Sequence, residues 1–174
     1  MAVKLLPLSV AELCAHALEL ERDAGMRFRE YAARMRELEC GQIALAFDEL
    51  SREQDEEVRA LEAAAGERRP AELSPWEYVW RLTYMPEGME HRPRLVPLSA
   101  REALQLATLA KRRAEAFYSD VATHATDSLV RSCAADMATG EQVHIKRLER
   151  LLGAEMRAAQ RTQTPPGGDA ALTR

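Results

Sequence analysis

The chain has 174 residues, 47% hydrophobic and 30% charged, with a formal net charge of −4; that is about one domain, too apolar to be disordered and too acidic to be a phosphate-backbone binder. Its three cysteines, Cys14, Cys40 and Cys133, form no CxxC pair, which excludes a local tetrathiolate metal site and fits a reducing compartment. No apolar run approaches the roughly 20 residues of a membrane span and no cleavable leader is read, so a cytoplasmic protein with no membrane or nucleic-acid partner is expected.

The first helix is predicted over Val10 to Glu39. It opens on Pro7-Leu8-Ser9-Val10-Ala11-Glu12, where Ser9 can cap the amide three residues on and Glu12 can reach back, a capping box. Leu13, Ala17, Leu20, Ala24, Phe28, Tyr31, Met35 and Leu38 recur at threes and fours, the period of a helix with one buried face. Gly41 is expected as its left-handed cap. The second helix is predicted over Gln42 to Gly66, with Ile43, Phe47, Leu50, Val58 and Leu61 on its stripe. Residues 67–99 hold five prolines and form a connection too long for a turn. Within it, Ser74-Pro75-Trp76-Glu77 reads as a further capping box with Pro at the first helical position, so a short helix is expected. Trp76, Tyr78, Trp80 and Tyr84 fall together there, either to cover the bundle or to meet a protein partner or the second chain of a homodimer.

The third helix is predicted over Ala100 to Thr123, on Leu104, Ala107, Ala114, Tyr118 and Val121. The fourth is predicted over Ser128 to Leu152, on Val130, Ala134, Met137, Leu148 and Leu151, with Gly153 behind it. Residues 160–174, with Pro165-Pro166-Gly167-Gly168, are expected to be a disordered tail. No segment alternates as a strand does.

The third helix opens on Pro97-Leu98-Ser99-Ala100-Arg101-Glu102, the PLSxxE pattern of the first, 90 residues later. At the same offset Ala24 meets Ala114 and Phe28 meets Tyr118, which favours duplication over two independently chosen caps. The short connections near 41 and 125 make two antiparallel hairpins, and the long crossover lets the second and third helices run parallel. That topology is an all-α, ferritin-like four-helix bundle over residues 1–159.

Polar residues interrupt the apolar stripes at one level of every helix: Glu21 on the first, Gln54 and Glu57 on the second, Lys111 on the third, Glu141 and His144 on the fourth. Charge in a bundle core is costly unless paired or metal-bound, so these six positions are the candidate site. His16, His91 and His124 fall off this level and read as structural or surface residues, and Cys133 reads as a small core residue.

With these motifs the chain resembles the rubrerythrin family over about residues 10–152. Glu21, Ala24 and Phe28 match its helix-1 pattern, Glu141-Gln142-Val143-His144 matches its ExxH, and Phe47-x-x-Leu50-Ser51 matches the approach to its other ExxH. The resemblance implies a metal site between the helices that holds two irons and handles peroxide or oxygen. Carboxylates would neutralise and bridge the cations, and an imidazole three residues on would reach them from the same helix face. Gln54 and Glu57 stand where Glu and His are called for, and Lys111 stands where Glu21 should repeat. An ammonium and a second metal repel at short range, which argues against an intact di-iron centre. No rubredoxin-type cysteines supply an electron donor. Two readings stay open. In one, a single Fe, Zn or Mn ion binds through Glu21, Glu57, Glu141 and His144, in iron handling or an oxidative-stress response. In the other, Lys111 pairs with Glu141 or Glu21 and the bundle is a metal-free scaffold or interaction protein. Glu53 and Glu115 each lie where a small helix rotation could supply a missing carboxylate. No catalytic residue is assigned.

Overall fold

The computed structural model describes residues 6–7, 9–65, 70–74, 77–78 and 96–163. Four helices account for most of them: α1 Val10–Glu37, α2 Gly41–Ala65, α3 Ala100–His124 and α4 Ser128–Gln163. No strand occurs among the described residues. No described helix is long and apolar enough to cross a membrane.

Both expected N-caps form in the same way. Ser9 and Ser99 have extended backbones, and their hydroxyls accept from the amides of Glu12 and Glu102, each at 3.2 Å. Each satisfies one of the amides that a helix start leaves unpaired. Asp127 performs the same service for α4, its Oδ1 accepting from Leu129 and Val130.

Cross-helix pairs fix the topology. Arg22–Glu62, Arg29–Asp55 and Arg36–Asp48 run in opposite order along α1 and α2, so these two are antiparallel. Arg112–Glu149 and Glu115–Gln142 make α3 and α4 antiparallel. Arg34 donates to the Pro97 carbonyl at 3.1 Å, while Glu21 meets Lys111 and His16 meets Phe117, so α3 is antiparallel to α1. It is therefore parallel to α2, as the long crossover requires. The crossover leaves beside the start of α1, where the Ala71 amide donates to the Ala11 carbonyl. The Ser74 amide donates to Glu77 Oε2 at 2.7 Å, the reach-back half of the expected capping box. Tyr78 lies edge-on to His16. Trp76, Trp80, Tyr84 and His91 lie outside the described residues, as does the expected tail beyond Gln163.

Two boundaries differ from expectation. The left-handed residue after α1 is Glu39 (φ 57°), and Gly41 is the first residue of α2. The Cys40 amide bonds the Met35 carbonyl at 2.8 Å and the Glu39 amide bonds Arg36 at 3.1 Å, a Schellman closure. The hairpin is so short that the left-handed step must fall two residues before the glycine. Second, α4 continues through Gly153 to Gln163 instead of stopping at Leu152, so the expected tail boundary at 160 falls inside a helix. Ala154-Glu155-Met156-Arg157-Ala158-Ala159 are strong helix formers and nothing caps the chain at Gly153.

The core is divided. One apolar cluster gathers Phe28, Met35, Phe47, Leu50, Leu104 and Leu148. The other gathers Leu13, Phe117, Tyr118, Val121, Val130 and Ala134, with Cys133 packed against its edge. The stretch between them holds the polar side chains. His16 belongs to the second region: it is 3% exposed, its ring tilted against that of Phe117 at 5.3 Å between centroids, with no hydrogen-bond partner for Nδ1. His124 is exposed and turned to the Asp120 carbonyl.

Two predictions follow from this packing. Replacing the strained left-handed residue, Glu39→Gly, should stabilise the protein by about 1 kcal/mol, seen as a higher urea midpoint at unchanged slope. Burial depresses the His16 pKa to about 4, with Glu12 only partly opposing. Between that value and the ordinary 6.5 the unfolded chain binds the extra proton, so stability falls as pH falls. The loss attributable to His16 should approach about 3 kcal/mol near pH 4. His16→Leu, which copies the residue found 90 positions later, Leu106, should remove that part of the acid sensitivity in urea titrations at pH values spanning the window.

Candidate functional site

Lys111 lies midway along α3, between Ala107 of one apolar cluster and Ala114 of the other. These small neighbours leave room for its four-carbon stem, and the side chain is 2% exposed. Its ammonium donates to Glu21 Oε2 on α1 at 2.9 Å, to Glu141 Oε1 on α4 at 3.1 Å, and to Gln54 Oε1 on α2. An ammonium has three protons to give, and each goes to a different helix. Burial is the largest influence on Lys111 and would lower its pKa, but Glu21 and Glu141 outweigh it and hold the pKa above its ordinary value. Lys111 is therefore a permanent cation.

Gln54 turns its amide nitrogen to Glu57 Oε2, 2.8 Å away. A carboxylate at 54 could accept from Lys111 but would repel Glu57; the amide accepts on one side and donates on the other. It is brought close by Gly25, where an added Cβ would lie 3.3 Å from the Cβ of Gln54. The Ser51 hydroxyl donates to the Gly25 carbonyl at 3.1 Å and clamps the same approach.

His144 sits at the margin. Its Nε2 is 3.5 Å from both Glu53 Oε2 and Glu57 Oε1, and its Nδ1 is buried without a partner. Burial, reinforced by Lys111, lowers its pKa, so it is neutral near pH 7. Glu53 is also held by Arg147 at 2.6 Å. Burial pushes Glu57 up to about 7, with Glu21 adding repulsion. Burial also pushes Glu141 up to about 8 against the pull of Lys111. The causes are the same: more carboxylates than cations share a desolvated space. Tyr118 sits 3.5 Å from Glu21 Oε1, and burial drives its phenol well above the ordinary range.

Of the expected residues, Glu21, Gln54, Lys111 and Glu141 thus meet directly. Glu57 joins through Gln54, and His144 faces Glu53 and Glu57 instead of the ammonium. Glu115 is turned outward to Ser119 and Gln142 and does not join. Sequence reasoning missed Tyr118 as a site residue, although its place on the stripe at the repeat position of Phe28 was a signal. It also missed Arg147, which sits one turn beyond His144. Among the described residues, no group of three or more His, Cys, Asp and Glu is placed to hold a metal ion.

A cleft of about 360 Å³ runs from the gap between α2 and α4 to this layer. Ala60, Ala64 and Gly140 are exposed at its mouth, Ala17, Leu61 and Met137 line it, and Glu21, Glu57, Tyr118, Glu141 and His144 form its floor.

The rubrerythrin family model matches residues 12–152. The chain belongs to the rubrerythrin family. Among solved structures it is similar to an uncharacterised conserved protein from Magnetospirillum magnetotacticum, with a TM-score of 0.70 and 24% identity over 84% of this chain and 95% of that one. That likeness shows the shared all-α, ferritin-like fold. No curated protein matches the chain significantly. Rubrerythrins typically bind iron.

Lys111→Met should destabilise the protein by about 3 kcal/mol, the scale for leaving a buried charge unpaired. The deficit should shrink as pH is lowered toward 5. Without the ammonium the raised carboxyl pKa values rise further, so the folded state binds more protons than the unfolded one and stability falls with rising pH. Equilibrium unfolding of both proteins across that range is the measurement, and equal midpoints throughout would mean that the ammonium contributes nothing.

Proposed function

We propose that this member of the rubrerythrin family has an altered core site in which Lys111 supplies the positive charge that metal supplies elsewhere, so that the bundle acts as a binding or scaffold protein without two-metal oxygen or peroxide chemistry. One observation carries this reading: the Lys111 ammonium is fully buried and donates to Glu21, Gln54 and Glu141. Those are three of the positions from which a two-metal centre would draw its ligands. Two dications in the same space would meet a fixed unit charge within a few ångströms, and one of the remaining donors is a neutral amide. The donor set does not fit a metal pair.

A second reading has one observation in its favour. His144 Nε2 faces Glu53 and Glu57 at 3.5 Å each, so one ion of Fe, Zn or Mn could sit among them once these side chains shift to converge. Glu21 or Glu141 would have to leave Lys111 to complete its shell. The protein would then bind one ion at most and serve iron handling or an oxidative-stress response.

Elemental analysis of protein purified without chelator or affinity metal should give at most one ion per chain. Two irons with the near-ultraviolet bands of an oxo-bridged pair would overturn the proposal. Lys111→Glu should melt lower than wild type without metal and recover on addition of ferrous iron or zinc, because it removes the resident cation and restores a ligand. A Lys111→Glu protein indifferent to metal would show that the layer cannot be converted.

A further inference from the structure

Two of the three cysteines lie at one level of the bundle. α1 and α4 both run antiparallel to α3, so they are parallel to each other, and Lys111 holds them level at Glu21 and Glu141. Cys14 stands seven residues before Glu21, and Cys133 stands eight before Glu141. At a rise of about 1.5 Å per residue the two cysteines share one height to within about 2 Å. They also turn to the same side. Seven residues make two helical turns to within about 20°, so Cys14 leaves α1 on the side of Glu21 and Cys133 leaves α4 on the side of Gly140. Glu21 and Gly140 line one cleft. α2 flanks that cleft, but the register of Arg22–Glu62 and Arg29–Asp55 ends α2 at Ala65, level with Glu19 and short of Cys14. Cys133 packs there against the apolar cluster that includes Leu13 and Ala17 of α1. Both thiols are free and half-buried. Burial raises the pKa of Cys14, and Cys133 raises it further, an influence that needs the two sulfurs near each other.

We propose that Cys14 and Cys133 are a redox-active dithiol, which a low-molecular-weight disulfide converts to an intramolecular disulfide joining α1 to α4. One protein thiolate attacks the small disulfide, forming a mixed disulfide and releasing one small thiol. The other protein thiolate then attacks the protein sulfur of that mixed disulfide, closing the Cys14–Cys133 bond and releasing the second small thiol. Two protein thiols are oxidised, one small disulfide is reduced to two thiols, and the protons of the protein thiols end on those two leaving groups. The second step joins sulfurs that the fold holds at one height, so closure is favoured over accumulation of the mixed form. Two cysteines that served only as small packing residues would react independently of each other. Cys40 is the internal contrast: it sits at the opposite end of the bundle, in the hairpin between α1 and α2, with its thiol turned to the Leu38 carbonyl.

The test exposes the full chain to oxidised glutathione at about pH 8, where thiolate is within reach. Acid quenching, alkylation with iodoacetamide and mass spectrometry of unreduced peptides then read each cysteine. The expected product is a monomer with Cys14 linked to Cys133, exceeding the glutathione adducts of these two cysteines at least about tenfold, while Cys40 stays unlinked. The linked form should melt above the reduced protein, because the bond restricts the unfolded chain over the long loop from 14 to 133, and dithiothreitol should reverse the gain. Cys40→Ala should change none of this. Cys14→Ala and Cys133→Ala keep a small apolar residue in place. Each should retain the helical circular dichroism and yield only the glutathione adduct of the remaining partner, with no gain in melting temperature. The proposal is overturned if both thiols stay reduced in folded wild type, if adducts form in place of the link, if the link involves Cys40, or if the oxidised form melts lower.

Discussion

The bundle is organised around a buried ammonium that touches all four helices. Lys111 on α3 reaches Glu21 on α1, Gln54 on α2 and Glu141 on α4. Taking an ion of this size out of water costs several kcal/mol, and the cost is offset only if all of its partners are in place together. Surface pairs such as Arg22–Glu62 or Arg112–Glu149 tolerate sliding and contribute little. The central contacts do not: turning any helix by one residue rotates its side chains by about 100° and strands a charge. The polar layer therefore specifies how the helices are matched, whatever it contributes to stability.

Other features of the chain serve this arrangement. Glu21 and Lys111 stand the same number of residues after their caps, Ser9 and Ser99, so the repeated PLSxxE starts bring them to matching depths in antiparallel helices. Gly25 lets α2 approach closely enough for Gln54 to reach across. Above and below, two apolar clusters flank the layer and lower the dielectric around Lys111, which strengthens the interactions there and also raises the penalty for any group left over. The carboxyls of Glu57 and Glu141 register that penalty in their raised pKa values.

Much of this was legible in the sequence because helical periodicity reports burial. Glu21, Lys111 and Glu141 stand on stripes that are otherwise Ala, Leu and aromatic, and the repeat supplied the register that made them level. Composition and punctuation gave the four helices and the parallel relation of α2 and α3. Local rules failed where tertiary geometry took over. Gly41 looked like the end of α1, yet the hairpin placed its left-handed step at Glu39. Gly153 looked like a stop, yet the helix-forming residues beyond it carried α4 onward. His144 lies on the seam by spacing, but which acid it faces depends on the relative rotation of two helices, and Glu53 shares it with Glu57. The cleft could not have been read at all: it is space left by Ala60, Ala64 and Gly140 where larger residues would have closed it.

Glu21 and Lys111 occupy equivalent places in the two halves and bond each other. Two copies of the first half, brought together in the same geometry, would set carboxylate against carboxylate. Two copies of the second would set ammonium against ammonium. Only unlike halves attract at the centre. The difference between the halves thus acts as a polarity key: a chain whose two halves open on the same PLSxxE pattern is directed toward pairing unlike halves and away from exchanging hairpins with its neighbours in like-with-like pairs.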